Sequence, residues 1–79
     1  MGNQKPVTTS LRKIVAESVK ARRLRLGLSQ EELAEVCGYH RTYIGSIERA
    51  ERNITLSTLE AVARALDVSP QELMEGYDS

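Results

Sequence analysis

Arg41, Thr42 and Ser46 are the residues of this 79-residue chain whose types and spacing point most directly to a chemistry. On a helix, Thr42 and Ser46 lie one turn apart on one face and Arg41 borders it. Arginine grips guanine O6 and N7 with two parallel donors, while threonine and serine can donate to or accept from a base edge. Ile44 and Ile47 point the other way, and the polar side (Arg41, Thr42, Gly45, Ser46, Arg49) has no large apolar residue. A short helix with a small, polar outer face suits the major groove of a DNA duplex, which is wide enough for one helix. Arg41, Thr42 and Ser46 are therefore the expected base readers. Arg49, at the far end of the helix, is expected on phosphate, which positions without specifying sequence. Tyr43 is lateral, with its hydroxyl directed to a phosphate or packed at a subunit seam.

The elements that hold this face can be read outward from it. Ser29 followed by Glu32 is a capping box, which starts a helix over about Gln30 to Val36. Gln30 sits at that helix's N-terminus, where free N–H groups and the helix dipole favour a phosphate. Leu33, Ala34 and Cys37 share its inner face, and Gly38 can take the left-handed backbone that ends it. The second helix runs from about Arg41 to Arg49, with His40 at its start. Gly45 inside it costs about 1 kcal/mol relative to alanine, either as a tolerated loss or to allow close approach to DNA. Ser10 caps a first helix to about Leu26, with Leu11, Ile14, Val15 and Val19 on its apolar face. Thr55 caps a fourth, about Leu56 to Leu66, with Leu59, Val62, Ala63 and Leu66 turned inward. Ser69-Pro70-Gln71-Glu72 opens a short fifth helix with a second capping box and proline at its first position. Leu73, Met74 and Tyr77 then either cover the core or form a subunit interface.

Gly27-Leu28-Ser29-Gln30-Glu31-Glu32-Leu33-Ala34, Gly38 and Ile44-x-x-Ile47-Glu48-Arg49 together resemble the helix-turn-helix of the Cro/repressor (XRE-type) family. The likeness covers roughly residues 11 to 68. His40-Arg41-Thr42-Tyr43-Ile44 with Ile47-Glu48-Arg49-x-x-Arg52-Asn53-Ile54 is similar to the controller proteins of restriction–modification systems. The resemblance implies an all-α, compact five-helix bundle of the lambda-repressor-like type, with the helix-turn-helix in helices 2 and 3. It implies a structural ion pair between Arg23 and Glu48, locking helix 1 to helix 3. It also implies backbone contacts from Gln30, Arg52 and Asn53, and a homodimer formed through the C-terminal helices (Leu73, Met74, Tyr77). RNA polymerase is a further implied partner, and a bacterial or phage cytoplasm, at the nucleoid, the implied location. The chain departs from the controller pattern at three places: Gly45 stands where that pattern has serine, Ser46 where it has glycine, and Ala50 where it has glycine. Ala50 is therefore either strained at the helix end or bypassed by a different loop path.

Length and composition bound the alternatives. The expected organisation is a loose tail over 1–9, one domain over 10–77 and a short tail at 78–79. A chain of this size buries only about 60% of its unfolded surface, and with no Trp and no Phe its core must be aliphatic. One cysteine excludes an internal disulfide or a cysteine-rich metal site. No apolar run is long enough to span a membrane. Net charge is zero, yet residues 1–49 hold nine Lys/Arg against five Glu and residues 50–79 hold two Arg against six acids. A neutral protein divided in this way can present a positive face. One histidine, one inward cysteine and no convergent polar set leave little from which to build a catalytic centre; no cofactor and no metal are expected. The expected function is a sequence-specific regulator of double-stranded DNA, dimeric on a palindromic operator. The alternative is an antitoxin-like module that binds a partner protein as well as DNA.

Overall fold

The computed structural model describes residues 10–76; the expectations for the 1–9 tail, for Tyr77 and for residues 78–79 lie outside them. Among the described residues the chain is all-α, with helices α1 (Leu11–Arg25), α2 (Gln30–Cys37), α3 (Arg41–Glu48), α4 (Leu56–Ala65) and α5 (Pro70–Leu73). Each start is set by a local side-chain acceptor. Ser10, Ser29, Thr55 and Ser69 each accept from the backbone N–H three residues on, and at Ser29 and Ser69 the reciprocal glutamate bond completes a capping box. The Ser69 backbone N–H and hydroxyl hold the Glu72 carboxyl below the usual carboxylate range. That contribution is present at neutral pH and is lost as acid protonates the group.

Four helices end with one device. A residue in the left-handed region turns the chain, and the next N–H reaches back five residues to a carbonyl of the last turn. After α1 it is Gly27 (φ 75), with Leu28 N–H on Arg23 O at 3.0 Å. After α2 it is Gly38 (φ 83), with Tyr39 N–H on Ala34 O at 2.9 Å. Ala50 (φ 61) and Asp67 (φ 60) do the same for α3 and α4, through Glu51 N–H on Ser46 O and Val68 N–H on Ala63 O, both 2.9 Å. Ala50 is thus the strained alternative of the two expected: the loop keeps its path, and alanine is forced into a backbone suited to glycine.

The core is aliphatic. α3 packs on α1 and α2, α4 on α2, and α5 on α1 and α4. Val19, Leu33, Ile44, Val62 and Leu73 have essentially no accessible surface. Two expectations need correction. Leu11 lies at the rim, and Ala16 takes the inward place beside Val15 and Val19. Leu73 belongs to the protomer's own core (0% exposed), so it has no surface to offer a second subunit; Met74 is only half-buried. Cys37 packs half-buried against the core, and burial pushes its thiol pKa up.

Replacing Ala50 with glycine is expected to raise stability by about 0.5–1 kcal/mol, because the left-handed penalty for alanine exceeds the extra chain entropy of glycine. In a domain of this size that is a rise in Tm of roughly 2–8 °C. Thermal unfolding followed by circular dichroism checks it, and an unchanged or lower Tm would refute the strain.

Candidate nucleic-acid interface

The turn between α2 and α3 fixes everything that follows. Gly38 ends α2, and two residues later His40 Nδ1 accepts from Thr42 N–H at 3.1 Å, which caps α3. Tyr39 of the turn is tied to α4, its hydroxyl 3.1 Å from Thr58 Oγ1. Its ring also lies 5.2 Å from that of Tyr43, centroid to centroid. Ile44 and Ile47 are buried, so α3 has one inward edge and one free face.

The free face opens with Arg41 and Thr42, both exposed. They lie at the N-terminal end of α3, the part that meets base edges when such a helix enters a groove. The structure thus places the two as a solvent-facing pair at the N-terminal end of the helix. The next turn differs. Ser46 is only 5% exposed. Its hydroxyl donates to Tyr43 O at 2.7 Å and accepts from Arg52 Nε at 3.0 Å. A hydroxyl committed twice and covered cannot read a base, and the reading of Ser46 is corrected accordingly. The sequence hides this because the covering group is six residues on, past the left-handed turn at Ala50. Arg52 itself remains exposed, with its guanidinium 5.4 Å from the centroid of the Tyr43 ring.

Gly45 is covered from the other flank. A Cβ there would meet Arg49 Nη1 at 3.1 Å and Gln30 Oε1 at 3.4 Å. The geometry gives this glycine a role beyond the two expected of it, close packing within the protein, because the missing Cβ is the space into which α2's Gln30 and the Arg49 head fit. Arg49 is exposed and 3.0 Å from Glu51. Asn53 is exposed on the loop after α3, and Tyr43, within α3, is half-buried.

Behind this surface sits the expected ion pair. Arg23 Nε and Nη2 donate to the two oxygens of Glu48 at 2.6 and 3.0 Å, a two-point contact. Arg23 Nη1 donates to Leu28 O at 2.7 Å, and Gln30 Nε2 donates to the same carboxylate at 3.0 Å. The side chains are 8% and 3% exposed. The hydrogen bond to Glu48 raises the Arg23 pKa further. Gln30, expected on phosphate, thus spends its amide on joining α2 to α3; its place at the start of α2 is as expected, and the bond to Glu48 is what sequence reasoning missed.

Comparison with known proteins agrees with this geometry. A helix-turn-helix family model matches residues 19–73. The chain is 55% identical over 64 residues to control protein C.SmaI of Serratia marcescens, covering 81% of this chain and 76% of that one. It is 40% identical over 70 residues to control protein C.BamHI of Bacillus amyloliquefaciens, covering 87% and 86%. The crystal structure of the restriction-modification controller protein C.AhdI from Aeromonas hydrophila superposes with a TM-score of 0.76 at 39% identity, over 78% of this chain and 94% of that one.

Removing Arg23 leaves Glu48 buried with only the Gln30 amide. Arg23→Ala is therefore expected to cost about 3–5 kcal/mol, while Gln30→Ala costs about 1 kcal/mol. Since a domain of this length has a total of the order of 4–12 kcal/mol, the first variant should be close to unfolded at 37 °C. Urea titration measures both, and a loss under about 1 kcal/mol for Arg23→Ala would remove the pair from its structural role.

Proposed function

This chain belongs to the helix-turn-helix (XRE-type) family as a DNA-binding regulator related to the restriction–modification controller proteins, and on that premise we propose that it acts as a homodimer on a palindromic operator. The observation that carries the reading is the exposed Arg41–Thr42 pair at the start of a helix whose other side is locked into the core. Arg41 reads guanine through its two-pronged donor set, and Thr42 takes the neighbouring base. Arg49, Tyr43, Asn53 and Arg52 hold phosphates flanking the groove. Gln30 offers the N-terminus of α2 to the backbone while its side chain braces α3.

The subunit contact runs over an apolar strip made by Leu56 (80% exposed), Leu11 (36%), Ile54 and Met74, which rims a groove floored by Val15, Ile47 and Leu59. Arg12, Arg52, Asn53 and Thr55 line the same groove beside these apolar groups, and an exposed apolar patch rimmed by polar residues is the feature by which subunit surfaces are recognised. A two-fold axis through this strip gives two α3 helices and half-sites about one turn, 34–36 Å, apart. The regulated genes are those of a restriction–modification operon, the regulator's own among them. The position of the operator relative to the promoter sets activation, through RNA polymerase, or repression. The site of action is the nucleoid of a bacterial or phage-infected cytoplasm. The relatives are regulators by name and not enzymes, and their names favour this reading over a partner-neutralising antitoxin.

Selection from random duplexes at about physiological salt, which suppresses purely electrostatic binding, is expected to enrich a palindrome with that spacing. Against the enriched site, Arg41→Ala should lose about 1–3 kcal/mol and accept any base at one position per half-site; unchanged affinity and preference would refute the base-reading role. Leu56→Glu is expected to leave the fold intact and give a monomer in sedimentation at micromolar concentration. A dimer that survives the substitution would move the interface elsewhere.

A further inference from the structure

Two small residues form the middle of the recognition helix, and each lies beneath a longer side chain. Gly45 lies under Arg49 and Gln30, and Ser46 under Arg52. Beyond its first turn, therefore, α3 does not meet a ligand with its own side chains but with guanidinium groups laid across them. Arg49 reaches its place through an exposed contact with Glu51, which is weak. Arg52 is held differently. Its Nε donates to Ser46 Oγ, a group 5% exposed and itself anchored on Tyr43 O; the planar head sits over the Tyr43 ring. An arginine on a loop would otherwise lose much rotamer freedom on binding. Nε and one face of the plane are occupied by the protein, and among the described residues the terminal amino groups make no hydrogen bond.

We infer that Ser46 is a positioning residue: it fixes Arg52 in advance in the orientation with which Arg52 grips a DNA phosphate beside the groove. This rests on the DNA-binding reading above and goes beyond it by assigning a residue-level device to Ser46, at a place where the controller pattern has glycine and no hydroxyl is available. The benefit is preorganisation, since an arginine already in place gives up less freedom when it meets the backbone.

The test is a double-mutant cycle on the enriched operator, with affinity measured over a range of salt. Ser46→Ala is expected to weaken binding about 3–10-fold, the size of one lost hydrogen bond. It should keep the salt slope, because the charge stays. Arg52→Ala should weaken binding on every sequence alike and lower the slope by about 1. In the Arg52→Ala background, Ser46→Ala should change affinity by less than about 2-fold, since it has nothing left to position. Arg52→Lys, at an exposed site, keeps the charge and loses the planar Nε contact; it should match Ser46→Ala in both affinity and slope. It carries the test alone if thermal unfolding shows Ser46→Ala to be misfolded. Additive losses in the cycle, or an Arg52→Lys protein that binds as tightly as the unaltered one, would overturn the positioning role while leaving the DNA reading intact. Absence of duplex binding by the unaltered protein would overturn both.

Discussion

The buried carboxylate of Glu48 is the constraint on which the rest of the molecule depends. It lies at the end of α3, and it is satisfied by Arg23 from α1 and Gln30 from α2. A carboxylate this deeply buried is costly unless both oxygens are paired. Here each oxygen has a donor of its own, and Arg23 closes the set through the Leu28 carbonyl that leads into α2. Three helices and one loop are thereby held at one point. The orientation of α3 relative to α1 and α2 follows from that point as much as from the apolar contacts of Ile44 and Ile47, which set depth but are tolerant of rotation. An apolar substitute for the ion pair could be as stable, but it would lack the directional bonds that hold α3 at one angle to α1 and α2.

The same economy governs the ends of the helices. In a domain this small, a frayed turn would remove a sizeable share of the core. Side-chain acceptors close each start, and a left-handed residue with a reach-back bond closes four of the ends. The turn inside the helix-turn-helix uses glycine and histidine, one for backbone freedom and one for an acceptor. At Ala50 the device persists without glycine. The geometry of the loop after α3 is thus kept at some cost in strain, and that loop is the one that returns Arg52 to the face of α3.

How much of this was legible in the sequence depends on the distance over which each feature is decided. The capping boxes at Ser29 and Ser69 and the inward stripe of α4 involve partners three or four residues apart, and they were readable residue by residue. The Arg23–Glu48 pair spans 25 residues and came only from the family resemblance. Ser46 was misread because helical periodicity places it outward, and periodicity does not know that Arg52 folds back over it. Leu73 was misread for the opposite reason. Near a chain end an apolar residue can serve either the core or a partner, and only the packing of α5 against α1 and α4 decides. Gln30 was half legible: its place at a helix start was evident, its bond to Glu48 was not.

The neutral net charge fits this arrangement rather than opposing it. A protein that bound DNA by bulk charge would need a large positive total and would bind most sequences alike. Here Arg41, Arg49 and Arg52 lie on or beside α3, while Glu60, Asp67 and Glu72 lie on α4, α5 and the segment joining them. A local group of positive charges can steer a neutral protein toward a phosphate backbone, because the field near the surface follows the nearest charges and not the total. Glu51 adds a local counterweight. Its exposed contact with Arg49 is of a kind worth at most about 1 kcal/mol. Weak attraction to DNA in general, combined with a rigidly oriented helix, is the condition under which differences between base sequences decide where such a protein stays.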